Sequence, residues 1–167
     1  MLMKLTLLKS KIHRATVTAA SLHYEGSLTI SADLAALVQL REYEKILVGN
    51  LRNGERFETY VIYGSPRKGS IQLNGATAHL GTIGDRITIM NFAHYSPEEA
   101  VLHQPRIIVL DERNGVVRKK GVPTFTQGRS DAELQRFRLR VVRPTRNPRI
   151  PAEGGGARQI ELGPQGR

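Results

Sequence analysis

The segment Lys45–Tyr63, KILVGNLRNGERFETYVIY, carries the clearest indication of fold in this 167-residue chain. Asn53-Gly54 lies between two runs of β-forming residues, and Asn-Gly is the strongest short signal for a β-hairpin. We therefore predict strands at Lys45–Val48 and Glu55–Tyr63, joined by a turn around this pair.

Similar patterns extend outward from the hairpin over residues 1–117. Ser31 predicts the start of a helix from Ala32 to about Leu40, and the run Ser96-Pro97-Glu98-Glu99 predicts a second one to about Leu102. Many short strands, few helices and no βαβ repeat predict a mainly β fold, a small closed barrel. The further strands are predicted at His13–Thr18, Leu28–Ile30, Ile71–Leu73, Arg86–Phe92 and Arg106–Leu110.

Composition excludes several classes of protein. The chain has no cysteine, so it has neither disulfides nor thiolate metal sites, and no apolar run approaches the ~20 residues needed to span a bilayer. The short apolar start is followed by basic residues rather than by a small-residue cleavage site, so we expect no signal peptide and a cytoplasmic protein. No metal is expected, because the remaining histidines lack metal-ligand spacing and are interpreted as structural: His23, His79, His94 and His103.

The positive charge is concentrated at the C-terminal end. Residues 1–117 contain 13 Lys and Arg against 11 Asp and Glu, whereas residues 118–167 contain 12 against 4. The second segment also holds five of the eight prolines and few apolar residues after Val142, too few to offset its ordering entropy. We predict one folded domain at 1–117 and a poorly ordered basic tail at 118–167, with a local helix through Ser130–Arg138. A solubilising extension is the favoured interpretation, and contact with nucleic acid or acidic surfaces is the alternative.

Gly26-Ser27, in the segment Leu22–Ile30 (LHYEGSLTI), is a pair at which the backbone could cleave itself. A serine hydroxyl can attack the carbonyl of the preceding residue and convert the amide into an ester, and a glycine before it leaves the backbone free to adopt the strained geometry. Elimination and hydrolysis then leave a pyruvoyl group at the new N-terminus. Alone, however, Gly-Ser is more often an ordinary turn.

Four motifs in order, with compatible spacings, change this interpretation. Together they resemble the pyruvoyl-dependent aspartate 1-decarboxylase family, and the resemblance covers about residues 3–113. The motifs are Lys9-Ser10-Lys11-Ile12-His13-Arg14, His23-Tyr24-Glu25-Gly26-Ser27, Asn53-Gly54-Glu55-Arg56-Phe57-Glu58-Thr59-Tyr60 and Asn74-Gly75-Ala76-Thr77-Ala78-His79.

The resemblance implies a six-stranded double-psi β-barrel, a homotetramer with active sites between subunits, and cleavage of Gly26-Ser27 into chains of 26 and 141 residues. It implies that Ser27 becomes the pyruvoyl cofactor, whose ketone forms a Schiff base with L-aspartate and serves as the electron sink for decarboxylation to β-alanine, a precursor of pantothenate and coenzyme A. Whether a further protein assists maturation stays open.

The resemblance also assigns roles within the third motif. Arg56 holds a substrate carboxylate, for which a planar guanidinium is well suited, and Tyr60 on the same strand face returns a proton after CO₂ leaves. Thr59 assists cleavage and contacts substrate, so we expect a bulge or strand end there. Without the motif, Arg56 would be an exposed strand charge and Tyr60 a core residue.

The other motifs supply the remaining site residues. The resemblance places Lys11 near the substrate carboxylate, His13 near the cleavage site and Tyr24 over the pyruvoyl group. The turn Asn74-Gly75-Ala76-Thr77 resembles the family's substrate-binding turn. Thr77 stands where the family usually has alanine, and Gly49 where some members have an aromatic residue.

The alternative from another class is a non-catalytic β-barrel that binds nucleic acid through its basic tail. Such a barrel would need basic and aromatic residues interleaved on its surface. The near-neutral core and the absence of tryptophan speak against it.

Overall fold

The computed structural model describes residues 3–122, and within them the chain forms nine strands, two α-helices and one 3-10 helix. The helices are α1 (Ala32–Leu37) and α2 (Pro97–Leu102), and the 3-10 helix is Gly75–His79. The strands are β1 (Leu5–Thr16), β2 (Ala19–Ser21), β3 (Ser27–Ser31), β4 (Lys45–Asn50), β5 (Arg56–Gly64), β6 (Ile71–Asn74), β7 (Arg86–Tyr95), β8 (Arg106–Leu110) and β9 (Val116–Lys120).

The strands pair in the order β2-β6-β3-β5-β4-β7-β1-β8-β9. Three of the pairs are parallel, β1 with β8, β2 with β6 and β3 with β5, and the others are antiparallel. The predicted mainly β fold with short helices is confirmed, and it is compatible with a small double-psi β-barrel. Over residues 3–122 the hydrogen-bonded order runs from β2 at one edge to β9 at the other without closing.

The core is built from branched aliphatic side chains that alternate along the strands. In β3, β4 and β7, two fully buried Leu, Ile or Val residues are spaced two positions apart, and fully burying one such side chain contributes about 1.5–3 kcal/mol. This spacing turns these side chains toward the core. The buried residues of these strands are Leu28, Ile30, Ile46, Val48, Ile87 and Ile89.

The hairpin predicted around Asn53-Gly54 is confirmed. β4 pairs with β5 from Gly49 opposite Arg56 to Lys45 opposite Tyr60. Gly54 adopts a φ of +79°, which glycine tolerates without strain. The register of this hairpin sets which β5 side chains share a face.

The two helices differ in how well their ends follow the prediction. α2 begins with a capping box, in which Ser96 Oγ accepts from the Glu99 N–H and the Glu99 carboxylate accepts from the Ser96 N–H. α1 ends at Leu37, three residues before the predicted end. Gln39 has a φ of +54° and the Leu40 N–H donates to the Ala35 carbonyl, a pattern that terminates a helix.

Three strand features were not predicted: the part of β1 before His13, the short strand β2, and β9. β9 crosses the predicted domain boundary, because Arg118, Lys119 and Lys120 pair with β8. Residues 118–120 are therefore part of the sheet and not of a tail. The rest of the predicted tail, with the helix at Ser130–Arg138, lies outside the described residues, so the domain division stays a prediction there. No helix within residues 3–122 is long and apolar enough to cross a membrane.

Candidate active site

Ser27 lies where an exposed loop enters the sheet. Gly26 is exposed, whereas Ser27, the first residue of β3, is fully buried. β3 pairs with β6 so that Ser27 faces Asn74, and it runs parallel to β5 with Leu28 beside Val61. The bond between Gly26 and Ser27 thus connects solvent-exposed backbone to the protein interior.

The Ser27 hydroxyl is held by an amide. Asn74 Nδ2 donates to Ser27 Oγ and to Thr29 Oγ1, each at 2.8 Å, and Gln72 Nε2 donates to Asn74 Oδ1 at 2.8 Å. Because Ser27 Oγ accepts this hydrogen bond, its own proton stays available for transfer. We refer to Ser27, Thr29, Gln72, Asn74 and Thr77 as the Ser27 cluster.

Thr77 completes the cluster from the 3-10 helix. Its hydroxyl donates to the Asn74 carbonyl at 2.9 Å and lies 3.3 Å from the Ser27 carbonyl oxygen. Thr77 is buried. The Thr77 hydroxyl is therefore directed into the site beside Ser27.

Gly75 is the glycine that the local backbone requires. Its φ is +60°, and a Cβ at this position would lie 2.5 Å from the Tyr24 carbonyl oxygen and 2.8 Å from the Gly26 nitrogen. A Cβ on Gly26 would meet only the Asn74 carbonyl, at 3.8 Å, an ordinary contact. In this conformation the close approach between the β6 turn and the loop before Ser27 needs glycine at 75, whereas position 26 has room for a side chain.

Tyr60 lies beside the Ser27 cluster on β5. Since Leu28 pairs with Val61, the backbone of Tyr60 is at the level of Ser27. The Tyr60 ring is 6.4 Å from that of Tyr43, tilted by 34°. The expected bulge at Thr59 is wrong: β4 and β5 pair without a register shift, so Thr59 opposes Ile46 and lies on the face opposite to Tyr60.

Arg56, Lys11 and His13 lie on the outer face of the sheet, away from Ser27. Lys11 opposes Met90, two residues along β7 from Thr88. Gly49 pairs with both Arg56 and Thr88, and Thr88 Oγ1 lies 2.9 Å from His13 Nδ1. This arrangement extends across β5, β4, β7 and β1. We refer to Lys11, His13, Arg56 and Thr88 as the Arg56 row.

The Arg56 row is distant from Ser27 within one chain. Arg56 precedes Tyr60 by four residues of continuous strand, a separation of about 13 Å at ~3.3 Å per residue. Among residues 3–122, no hydrogen bond or ion pair involves the side chains of Arg56 or Lys11. The cations proposed to bind carboxylate are therefore free of protein partners in this part of the chain.

The surroundings of His13 disfavour the charged form of its imidazole. Burial lowers the pKa of its imidazole from the usual 6.5, and neighbouring positive charges, that of Lys11 first, lower this pKa further. These surroundings favour the neutral ring, in which one nitrogen can accept a hydrogen bond or a proton.

The remaining predicted site residues, Ala76 and Tyr24, are more exposed to solvent than Ser27. Ala76 is exposed, and Tyr24 is half exposed above the loop whose carbonyl contacts Gly75. No group of three or more His, Cys, Asp or Glu side chains within the described range could hold a metal ion.

Comparison with known proteins identifies the family. The family model described as aspartate decarboxylase matches residues 3–117. The chain belongs to the aspartate decarboxylase family. The match includes every residue of the Ser27 cluster and of the Arg56 row, and residues 118–167 lie beyond it.

Curated relatives named aspartate 1-decarboxylase agree with this membership. The relative from Chloroherpeton thalassium is 53% identical over 112 residues, which cover 67% of this chain and 82% of the relative. That from Caldicellulosiruptor bescii is 51% identical over 116 residues, 70% of this chain and 91% of the relative. That from Chlorobium limicola is 49% identical over 120 residues, 72% of this chain and 94% of the relative.

Sequence reasoning missed four residues that contact the expected ones: Thr29, Tyr43, Gln72 and Thr88. Gln72 and Thr29 could have been found, because each lies two residues from a motif residue on the same strand face. Thr88 carried no such signal, since only the pairing of β7 with the distant β1 brings it to His13. Tyr43 precedes β4 and comes to Tyr60 through the β4–β5 hairpin, but nothing in its own residue type marked it.

Proposed function

We propose that this protein decarboxylates L-aspartate to β-alanine and CO₂, using a pyruvoyl group that it makes from Ser27. The observation that carries the proposal is the buried Ser27 hydroxyl, which accepts an N–H from Asn74 at the junction with an exposed Gly26. Membership of the aspartate decarboxylase family supports the reaction and the substrate.

The cleavage is proposed to start at Ser27 Oγ. This oxygen attacks the Gly26 carbonyl carbon, the C–N bond breaks, and the hydroxyl proton moves to the Ser27 nitrogen, which leaves an ester. Loss of the Ser27 Cα proton then expels the Gly26 carboxylate and leaves dehydroalanine, and water releases ammonia to give the pyruvoyl group. The N–H of Asn74 stabilises the negative charge that develops on Oγ as this carboxylate leaves.

The residues around Ser27 fit the resulting group. The neighbouring side chains are neutral hydrogen-bonding groups, and the Thr77 hydroxyl lies 3.3 Å from the Ser27 carbonyl oxygen, which remains in the product. The pyruvoyl group supplies a carbonyl that captures the substrate amino group and takes up the electron pair released with CO₂.

The chain's own side chains bind and protonate the substrate in this proposal. Arg56 and Lys11 bind its carboxylates, Arg56 through two parallel N–H donors. The turn of Gly75, Ala76 and Thr77 lines the site, with His13 and Tyr24 as supporting residues, whereas Thr59 is left out because its side chain lies on the opposite face of β5 from Arg56 and Tyr60. The Tyr60 phenol returns a proton to the substrate carbon after CO₂ departs.

A homotetramer with sites between subunits is part of the proposal. In one chain the Ser27 cluster and the Arg56 row are separated along β5, and a neighbouring subunit could bring a second Arg56 row to the first Ser27. A β-alanine product fits a role in pantothenate synthesis, and we place the enzyme in the cytoplasm.

Intact-mass measurement on incubated protein tests the cleavage. We expect two fragments that meet at Gly26-Ser27, and borohydride reduction with aspartate should attach a covalent adduct to the larger one. Ser27→Ala is the matched control, because it removes the attacking oxygen and leaves core volume nearly unchanged. A wild-type chain that keeps a single mass after prolonged warming, with no adduct, would overturn the proposal.

Tyr60→Phe separates cleavage from turnover. The phenol acts only after CO₂ leaves, so this variant should cleave normally while its kcat falls by roughly 10²–10⁴-fold, the usual contribution of a positioned proton donor. Fragment masses and initial rates of β-alanine formation measure the two steps. Near-normal kcat would remove Tyr60 from the mechanism.

A further inference from the structure

Gln72 hydrogen-bonds the amide that holds Ser27. Gln72 and Asn74 are two residues apart on β6 and so share a strand face, and their side chains are joined by the 2.8 Å bond from Nε2 to Oδ1. Across the β3–β6 pair, Gln72 faces Thr29 and Asn74 faces Ser27. Four polar side chains thus form two adjacent cross-strand pairs.

The hydrogen bonds of these four side chains depend on which way the Asn74 amide is turned. The amide can direct either its NH₂ or its oxygen toward the hydroxyls of Ser27 and Thr29, and a hydroxyl can accept or donate. Neither hydroxyl therefore selects an orientation. The observed pairing with Gln72 does, because the Gln72 N–H donates to Asn74 Oδ1 and so leaves the Asn74 NH₂ facing Ser27 and Thr29.

The two orientations have opposite consequences for cleavage. With Nδ2 toward Ser27, Oγ receives a hydrogen bond, keeps its proton free to leave, and is stabilised when negative charge develops on it. With Oδ1 toward Ser27, the carbonyl oxygen would hold the hydroxyl proton and would later repel the leaving carboxylate oxygen.

We propose that Gln72 is a positioning residue for self-cleavage, because it fixes the Asn74 amide with its N–H toward Ser27. The inference rests on the proposed function, since it concerns the cleavage that produces the pyruvoyl group. Gln72 touches neither reacting atom and acts through Asn74.

Two substitutions change the hydrogen bond in different ways. Gln72→Glu keeps the shape but presents only acceptors at neutral pH, so it favours the reversed Asn74 amide. Gln72→Met keeps a similar length and removes the hydrogen bond, so both orientations become accessible. Gln104→Glu makes the same chemical change at an exposed glutamine and serves as the control.

Cleavage is measured on precursor made by cell-free translation, by following fragment formation over time, with the thermal midpoint of each variant in the Ser27→Ala background as the measure of folding. We expect Gln72→Glu to slow cleavage by about 100-fold and Gln72→Met by about tenfold, since removing one donor to a developing oxyanion costs ~10²–10³ in rate. Gln104→Glu should cleave at the wild-type rate.

The pH profile distinguishes positioning from general packing. Lowering the pH protonates the Glu side chain and restores a donor, so cleavage of Gln72→Glu relative to wild type should recover in acid, while that of Gln72→Met should not. Cleavage of both variants within twofold of wild type would overturn the inference, and so would a pH-independent defect in Gln72→Glu. If Gln72→Glu fails to fold, the neutral Gln72→Met variant alone decides the question. Failure of the wild-type chain to cleave would instead refute the proposed function.

Discussion

The Ser27 cluster and the Arg56 row lie in the same sheet but are held in different ways. In the cluster, Ser27, Asn74 and Thr77 are buried; the Asn74 amide donates to the Ser27 hydroxyl, and the Thr77 hydroxyl donates to the Asn74 backbone carbonyl. In the row, Arg56 is exposed and, within residues 3–122, its guanidinium has no protein partner. A group that acts on its own chain must be complete before any ligand arrives, whereas a group that binds a carboxylate must keep its donors free.

Gly75→Ala should have the largest effect on the cluster. A Cβ there would come within 2.5 Å of the Tyr24 carbonyl oxygen, so the loop before Ser27 must move, and we expect cleavage to be lost. The free energy of unfolding should fall by more than the ~1–2 kcal/mol that left-handed backbone costs an alanine. Intact mass and denaturant unfolding measure the two effects.

Gly54→Ala is the matched control for this substitution. Gly54 also has a positive φ, of +79°, but open space surrounds its missing Cβ. The control should show the backbone cost without loss of cleavage. Equal effects of the two substitutions would mean that the close approach at Gly75 is unimportant for the site.

Mixing subunits of two inactive variants should restore part of the β-alanine formation, an effect of intermediate size. In the proposed function, Ser27→Ala removes the cluster's nucleophile and Arg56→Ala removes the group that binds the substrate carboxylate, so we expect each variant alone to be nearly inactive. If each site takes its cluster from one subunit and its row from the next, random co-assembly leaves roughly a quarter of sites complete. The rate of β-alanine formation by co-expressed, differently tagged chains measures the recovery, and a mixture no more active than its parents would place both regions in one subunit.

Truncation should have the smallest effect when it spares β9. A chain ending at Val122 keeps β9 and the contact of Val122 with the core, so its thermal midpoint and turnover should match those of the full chain. A chain ending at Val117 loses Arg118–Lys120 and their pairing with β8, and its thermal midpoint should fall. An inactive or insoluble chain of residues 1–122 would show that the two regions depend on the segment that follows.

Much of the fold could be predicted from local patterns. The Asn53-Gly54 turn, the helix start at Ser96 and the strand over Arg86–Phe92 each depend on residues close in sequence, and the structure forms all three. The end of α1 was missed because Gln39 adopts a positive φ, and the sequence has no glycine there to indicate the end of a helix. β9 was missed because a strand of charged residues forms only where a neighbour, β8, offers free hydrogen-bonding groups.

The sequence by itself determined the alternation of buried and exposed residues, the hairpin, and the order of motifs around Gly26-Ser27, because these follow from residue type and spacing along the chain. Only the tertiary structure decided which side chains share a site. Pairing of β3 with β6 brings Asn74, 47 residues away, to the Ser27 hydroxyl, and the unbroken register of β4 with β5 turns Thr59 away from Tyr60. Hydrogen-bond partners and strand register depend on contacts between distant segments, and these form only when the chain has folded.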